Sequence, residues 1–319
     1  MSRATLDNIR DIATRAAIDV AWAQWGCLTH SAASVDTRPV SSIVDAEALV
    51  LVSMWLQGDE RRMRDLLAAL ARNHAKLLSV HRMQQIGSRF PDEVQPMIHE
   101  FASWAKHPSW SKLGKLASVA SAADIPRRKD LGPLRLLNPP MLQLRLRSAL
   151  GIGLKSDLLC YLLGQRADRA TTADLSNALG YTDRNTRIAA DELVDAGFVV
   201  RDDYSPTTTY GMHTQSWSQL LSSGTGANAT SSSEIPRWQN WSDVFVFLAH
   251  VIAMARRAQE GWSDYVVASR ARDLVEQHYA RLIRGGVLVW NDRMTRETQG
   301  LDALQQIVNE SVAAMRVAL

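Results

Sequence analysis

The stretch GYTDRNTRIAADELVDAGFVV, residues 180 to 200, decides how the middle of the chain is interpreted. Thr182 is a residue type that begins helices, the residues after it repeat apolar side chains at helical spacing, and Gly197 is a residue type that ends helices. The closing FVV is typical of a strand. The stretch nevertheless carries four acidic residues and only two basic ones. Its fitness to bind a polyanion therefore depends on where the charges fall along the helix.

Start and stop signals on both sides extend this pattern. A short apolar helix, DLLCYLLG, ends at Gly164, and a second, ADLSNALG, follows the capping residues Thr171 and Thr172 and ends at Gly180. After Gly197, the run FVVRDDYSPTTTYGMH places a polar, proline-containing turn between two β-rich segments, which is typical of a hairpin. The order helix, helix, turn, longer helix and hairpin predicts a winged helix-turn-helix domain.

A family resemblance supports this interpretation. The segment TTADLSNALGYTDRNTRIAADELVDAGFVVR, followed by TTTYGMHTQSWSQLL, resembles bacterial winged-helix transcriptional regulators of the MarR-like and ArsR-like kind. In those proteins a leucine, a glycine and a hydrophobic pair lead into the wing, and here these are Leu193, Gly197, Phe198 and Val199. The resemblance covers about residues 140 to 221, roughly a quarter of the chain. It implies sequence-specific binding of double-stranded DNA, most simply by a dimeric repressor.

Helical spacing separates a buried face from an exposed face in this domain. The apolar and small residues spaced to face one another are Leu158, Leu159, Leu162, Leu175, Ala178, Leu179, Thr186, Ala190 and Leu193. The residues left on the open face of the third helix are Asp183, Arg184, Asn185 and Arg187. The N-terminal part of such a helix enters the major groove. Arg184 and Arg187 are therefore candidates for guanine edges or phosphates, and Asn185 is a candidate for adenine.

The acidic residues fall mainly on later turns. Asp191, Glu192 and Asp195 lie about 12 Å or more along the axis from Asp183, at about 1.5 Å per residue. At that distance they can point away from the groove. Asp183 lies at the helix N-terminus, where the helix dipole favours a carboxylate and where it completes the cap begun by Thr182. Accepting a hydrogen bond from a cytosine amino group is its alternative role.

The predicted domain carries no net positive charge of its own, so other basic residues are expected to contribute to DNA binding. Residues 140 to 212 contain eight basic and nine acidic residues, whereas the cluster from Arg127 to Arg147 contains six basic residues and one acidic residue. Because neutralised phosphates supply most non-specific affinity, we expect this basic cluster and a symmetric dimer to strengthen binding. Polar wing residues are expected to contact the DNA backbone. The candidate DNA-contacting residues are therefore Thr172, Thr182, Asp183, Arg184, Asn185, Arg187, Arg201, Thr207, Thr208, Thr209, Arg127, Arg128 and Lys129.

The regions that flank the domain are predicted to be helical, so the chain is assigned to the mainly α class. The predicted division is an N-terminal helical bundle over residues 1–125, a basic proline-rich connector over 126–140, the winged helix-turn-helix domain over 141–221, a flexible Ser/Gly-rich loop over 222–235 and a C-terminal helical domain over 236–319. We expect the flanking helices to form a homodimer that spaces two recognition helices about 34 Å apart. They also offer a place for a small-molecule effector, since five tryptophans of the N-terminal bundle either pack in its core or line a pocket.

Other classes of protein are disfavoured by motif and composition. Cys27 and Cys160 are 133 positions apart with no nearby partner, so reduced thiols rather than a disulfide or a zinc finger are expected. The eight histidines form no HxxxH or HExxH pair, and catalytic or phosphate-binding glycine motifs are lacking, so neither an enzyme nor a cofactor is predicted. The longest apolar runs are too short for a membrane span and the N-terminus does not resemble a signal peptide, so a cytoplasmic location is expected.

A protein partner is the main alternative to DNA. Winged helices also serve as interaction modules, and the acid-rich third helix favours that possibility. The alternative function is therefore a non-enzymatic adaptor or antitoxin-like protein that holds a protein partner with the same domain.

Overall fold

A computed structural model describes residues 2–29, 40–117, 130–165, 169–203, 207–222, 235–289 and 300–319. These residues form fourteen α-helices and one antiparallel sheet of three short strands. The predicted mainly helical class is therefore confirmed. Within these ranges, no helix has both the length and the apolar character needed to cross a membrane.

Six helices build the N-terminal region. They are α1 (Ser2–Leu28), α2 (Ala46–Leu56), α3 (Arg62–His74), α4 (Val80–Gly87), α5 (Val94–Trp104) and α6 (Ser111–Gly114), with 3₁₀ turns at Ala75–Leu77 and Pro108–Trp110. Side-chain caps fix two of the starts. The carboxylate of Asp45 accepts a hydrogen bond from the amide of Ala48 at 3.2 Å, and the hydroxyl of Ser79 accepts one from the amide of Arg82 at 3.2 Å.

The middle of the chain forms five helices and the sheet. In order these are α7 (Leu142–Leu150), α8 (Leu154–Gly164), β1 (Ala170–Thr171), α9 (Thr172–Leu179), α10 (Asp183–Asp195), β2 (Val200–Asp202), β3 (Thr209–Gly211) and α11 (Thr214–Ser222), after a 3₁₀ turn at Pro139–Met141. The strand order is β1-β3-β2, with Tyr210 of β3 opposite both Ala170 and Arg201. These elements, called the small unit below, surround their own hydrophobic cluster.

The N-terminal and C-terminal helices form one body. The C-terminal helices are α12 (Trp241–Ala258), α13 (Asp264–Arg284) and α14 (Leu301–Ala318), and their apolar residues belong to the same hydrophobic cluster as those of α1 to α6. The reason is that α1 packs against both α12 and α14. The sequence division into residues 1–125 and 236–319 thus corresponds to a single helical body. Helix α7 lies between the two cores, with Leu144 in the larger cluster and Leu146 in the smaller.

The tryptophans of the N-terminal region are packed. Those predicted to pack are Trp22, Trp25, Trp55, Trp104 and Trp110, and each is buried. The indole of Trp25 donates a hydrogen bond to the hydroxyl of Ser53 at 2.9 Å, and the indole of Trp110 donates to the carbonyl of Ala75 at 3.1 Å. These rings therefore contribute to the core rather than to a ligand pocket.

Candidate nucleic-acid interface

The turn between α9 and α10 is built from strong local signals. Thr171, the first of the two predicted capping threonines, is the N-cap of α9, and its hydroxyl and the carboxylate of Asp174 form a reciprocal capping box. Gly180 ends α9 with a φ of 75°, in the left-handed region that favours glycine. Thr182 caps α10 as predicted, since its hydroxyl accepts a hydrogen bond from the amide of Asn185. The two helices therefore meet in a defined, tight turn.

The buried face of this helix pair is the predicted one. The residues of its hydrophobic cluster include Leu158, Leu159, Leu162, Leu175, Leu179, Ala190 and Leu193, with Ala178 packed against them. Thr186 is fully buried, as predicted. Because α10 is held by this face, its opposite face is left to solvent.

That open face carries the predicted reading residues. The side chains of Arg184, Asn185 and Arg187 are all exposed. Asp183 is exposed too, but one of its carboxylate oxygens accepts a short hydrogen bond from the hydroxyl of Ser176 on α9. Its carboxylate thus ties the two helices together, which is neither the simple cap nor the free acceptor predicted. Ile188, which sequence analysis did not single out, is 47% exposed beside the arginines.

The acidic residues farther along α10 are paired within the small unit. Asp191 accepts hydrogen bonds from the hydroxyl of Tyr210 at 3.0 Å and from the guanidinium of Arg201 at 3.3 Å. Glu192 forms an ion pair with Lys155 at 2.9 Å. Burial and the hydrogen bond with Asp191 raise the pKa of the Tyr210 phenol. The negative charge of α10 is therefore partly compensated at its C-terminal half.

The wing differs from its sequence-based description in two ways. The hairpin of β2 and β3 is present, but β3 also pairs with β1, a strand too short to leave a pattern in the sequence. Arg201 is engaged by Asp191 and by Asp203 at 2.9 Å, and these partners raise the pKa of its guanidinium. Its charge is thus already paired rather than free for phosphate. Of the three wing threonines, Thr207 is exposed and Thr208 and Thr209 are half-buried, with the hydroxyl of Thr208 donating to the carboxylate of Asp203.

The basic cluster predicted to supply positive charge is largely internal where it is described. Arg127, Arg128 and Lys129 lie outside the described residues. The remaining arginines of the cluster, Arg135, Arg145 and Arg147, donate hydrogen bonds to the carbonyl of Gly26, to the carbonyl of Leu221 and to buried carboxylates, respectively. Arg147 is only 2% exposed, so it cannot contact DNA. The prediction that this cluster forms a binding surface is therefore wrong for Arg147, because buried acids distant in sequence surround it.

A buried charge network joins the helical body to the small unit. Its members are Asp45 and Glu47 at the start of α2, Arg82 of α4, Arg147 of α7 and Asp157 of α8, each at most 2% exposed. Arg147 lies between Glu47, at 2.6 Å, and Asp157, at 2.8 Å. Arg82 lies between Asp45, at 2.6 Å, and Glu47, at 3.2 Å. Every one of these charges therefore has an opposite charge in contact, which such burial requires.

The charges of the network shift one another's protonation. Burial tends to raise the pKa of Glu47, but Arg147 and Arg82 together hold it below its usual value. For Asp157 burial prevails over Arg147, and its pKa is raised. Burial beside Asp157 raises the pKa of the Tyr181 phenol, which donates a hydrogen bond to that carboxylate, to about 12. The network thus reaches the turn between α9 and α10.

The same turn is held directly by α4. Arg82 donates a hydrogen bond to the carbonyl of Leu179, the last residue of α9, at 2.7 Å. The ring of His81 packs on that of Tyr181 with centroids 5.1 Å apart. A side chain at Gly180 would lie 2.5 Å from the amide oxygen of Gln85. The orientation of α10 is therefore fixed relative to the helical body. Sequence analysis did not predict that α4 holds this turn. The only sequence signal for the buried charges was Glu47, a glutamate inside an apolar helix.

No metal site is formed by the part of the chain that the structure describes. It holds no group of three or more histidine, cysteine, aspartate or glutamate side chains arranged to bind an ion. Cys27 and Cys160 are both buried free thiols, and burial raises the pKa of each.

Comparison with protein-family models, curated proteins and solved structures finds no match for this chain.

Proposed function

We propose that α8, α9 and α10, together with the three-stranded sheet, form a winged helix-turn-helix domain that binds double-stranded DNA and regulates transcription, most simply as a dimeric repressor. The observation that supports this proposal is the order of elements: helix, short strand, helix pair with a tight turn, and hairpin, with β3 between β1 and β2. In this proposal α10 is the recognition helix, because it follows the turn and keeps its first turns exposed.

Arg184, Asn185 and Arg187 are the proposed reading residues. All three lie exposed within the first five residues of α10, on the side away from the hydrophobic cluster. Bidentate arginine contacts with guanine and an asparagine contact with adenine are the usual uses of these side chains in the major groove. Ile188, on the same face, adds an apolar surface of the kind that contacts a thymine methyl group.

The ion pairs of α10 determine how much negative charge the proposed domain presents to DNA. Because Arg201 and Lys155 already compensate Asp191 and Glu192, the acidic half of α10 presents less uncompensated negative charge than its sequence suggests. Non-specific attraction to phosphate is still expected to be modest for one domain, so a dimer that doubles the contacts is part of the proposal.

Loss of two arginines from α10 is the test of this function. With DNA from the upstream region of its own gene, we expect Arg184→Ala/Arg187→Ala to bind at least tenfold more weakly than the parent in a mobility-shift assay, because each good base contact contributes about 1–3 kcal/mol. The matched control is Arg270→Ala/Arg272→Ala, which removes the same charge from exposed positions on α13. Equal affinity of the α10 variant and the parent across a salt series would remove the recognition-helix assignment.

A protein partner is the second candidate function, and two exposed apolar side chains favour it. Ile188 is 47% exposed and Phe198 is 48% exposed. Within the described part of the chain, the one aromatic ring in contact with Phe198 is that of Trp217, with ring centroids 5.9 Å apart. Stoichiometric co-purification with one protein would support this alternative over DNA binding if two further results accompany it. The Ile188→Asp variant should lose the partner, and the parent should not be retained on upstream DNA.

A further inference from the structure

A large cleft separates the small unit from the helical body. Its volume is about 1190 Å³. One wall comes from α8, β1 and α9, and the other from the end of α4, from residues 237–240 and from the C-terminal ends of α13 and α14. The space is large enough for a small organic molecule, whose binding sites typically occupy about 300–1,000 Å³.

The charge of the cleft is strongly positive. Five arginines line it, namely Arg89, Arg169, Arg237, Arg281 and Arg284, against two aspartates, Asp174 and Asp243. Both acids already have partners, since Asp174 belongs to the capping box of α9 and Asp243 pairs with Arg89. Arg169 pairs with Asp202 at 2.9 Å. Among the described residues, no acidic side chain forms an ion pair with Arg237, Arg281 or Arg284.

Buried donors in the lining give a second, independent observation. The polar atoms that are buried and lack a hydrogen-bond partner in the described part of the chain include Ser42 Oγ, Arg89 Nε, Trp238 Nε1 and Gln239 Nε2, and all four residues line this cleft. Ser42 as a whole is only 2% exposed. Each of these atoms can donate a hydrogen bond, and buried donors are nearly always satisfied in native proteins. Because these atoms have almost no accessible surface, their side chains would have to turn towards the cleft to donate to an acceptor-rich ligand.

We propose that this cleft binds a phosphate-bearing small molecule, with its phosphate groups on Arg237, Arg281 and Arg284 and its remaining acceptors on the buried donors. Phosphate offers only acceptor oxygens and negative charge, which matches a lining of arginines and unpaired donors. Burial and the nearby charge of Arg281 lower the pKa of Arg89 to about 10, which means that they disfavour its charged form. An anion bound in the cleft would stabilise that charged form.

A small ligand fits these observations better than duplex DNA. A duplex approaching the surface could reach the exposed guanidinium groups of Arg237, Arg281 and Arg284, but not Ser42 or the indole nitrogen of Trp238, which are buried. Only a ligand that enters the cleft can contact both sets, once the side chains that carry the buried donors turn towards it. The rings of Tyr161 and Trp238, 5.3 Å apart, also line the cleft and offer an apolar surface to an organic part of the ligand.

Titration calorimetry with inorganic pyrophosphate and with ADP, at constant ionic strength and without DNA, tests the site separately from the proposed DNA binding. We expect saturable binding of at least one probe by the full chain, and about 100-fold weaker binding by Arg281→Gln/Arg284→Gln, because two charge-assisted contacts are lost. Tighter binding of ADP would indicate a nucleotide-like ligand, and equal binding would indicate that the phosphates suffice; either ranking supports the site.

The matched control is Arg270→Gln/Arg272→Gln, which removes the same charge from exposed positions on the same helix, away from the cleft. It should bind both probes like the parent. Ser42→Ala provides a variant with unchanged charge, and it should bind the probes more weakly than the parent. The proposal is overturned by an absence of saturable binding at millimolar probe, by equal losses in the two double variants, or by loss of duplex binding in the cleft variant without any small-anion binding.

Discussion

Replacement of Arg147 by methionine is expected to lower the free energy of unfolding by about 3–5 kcal/mol, the cost of removing one partner from a buried ion pair. Arg147 is fully enclosed between Glu47 and Asp157, at 2.6 Å and 2.8 Å. Methionine fills similar space but leaves both carboxylates facing an apolar group. The loss of charge, rather than a cavity, therefore dominates the effect. Urea denaturation followed by circular dichroism measures it.

An exposed ion pair serves as the control for this substitution. Lys155 pairs with Glu192 at 2.9 Å, with both side chains more than half exposed. Lys155→Met should cost less than about 1 kcal/mol, because solvent screens such a pair. If Arg147→Met is as mild as Lys155→Met, the network does not stabilise the junction between the helical body and the small unit. Adding Asp157→Leu to Arg147→Met should recover part of the loss, since it removes the carboxylate left without an ion-pair partner, whereas Glu47 still contacts Arg82.

Acidification from pH 7.5 to pH 5.0 is expected to lower the free energy of unfolding by about 2 kcal/mol through His278 alone. Burial, followed by the charges of His250, Arg89 and Arg281, lowers the pKa of His278 to about 3. In the unfolded chain a histidine titrates near about 6.5. The stabilisation is therefore complete above that value, and it is lost progressively as the pH falls from about 6.5 towards 3, because only the unfolded state takes up the proton.

The His278→Phe variant isolates this contribution. The ring of His278 packs against those of Phe247 and His250 at 5.7 Å and 5.2 Å, and its Nε2 has no hydrogen-bond partner in the described part of the chain, so a phenyl ring suits the site. Denaturation curves at pH 7.5 and 5.0 should separate less for this variant than for the parent. His213→Phe, at an exposed position, should keep the parent's pH dependence. Identical pH dependence in His278→Phe and the parent would contradict a neutral buried imidazole.

Local signals in the sequence were sufficient for most helix ends near the candidate interface. The cap at Thr182 and the stop at Gly180 were predicted from residue type and lie where predicted. Such signals succeed because a cap is satisfied within a few residues of itself. The cap of α9 was predicted only as the pair Thr171 and Thr172, which are equivalent in type, and the capping box with Asp174 identifies Thr171 as the N-cap.

Long-range partners account for what the sequence did not predict. Arg147 was assigned to a basic surface because the residues near it are basic, yet its partner Glu47 is one hundred positions away. Helix α4 holds the carbonyl of Leu179 across a similar separation, through Arg82. Strand β1 escaped prediction because two residues carry no periodicity, and only pairing with β3 defines them as a strand.

The sequence by itself determined the helical class, the limits of the helix pair, and which face of α10 is buried, because periodicity and capping are properties of neighbouring residues. Only the tertiary structure decided that the flanking helices share one core, that Arg147 is an internal ion-pair partner, and that arginines from the turn after α4, from α13 and from the segment before α12 line a single cleft. The physical reason is that burial and electrostatic pairing depend on which distant elements pack together. That packing is set by the sum of apolar contacts over the whole chain rather than by any short pattern.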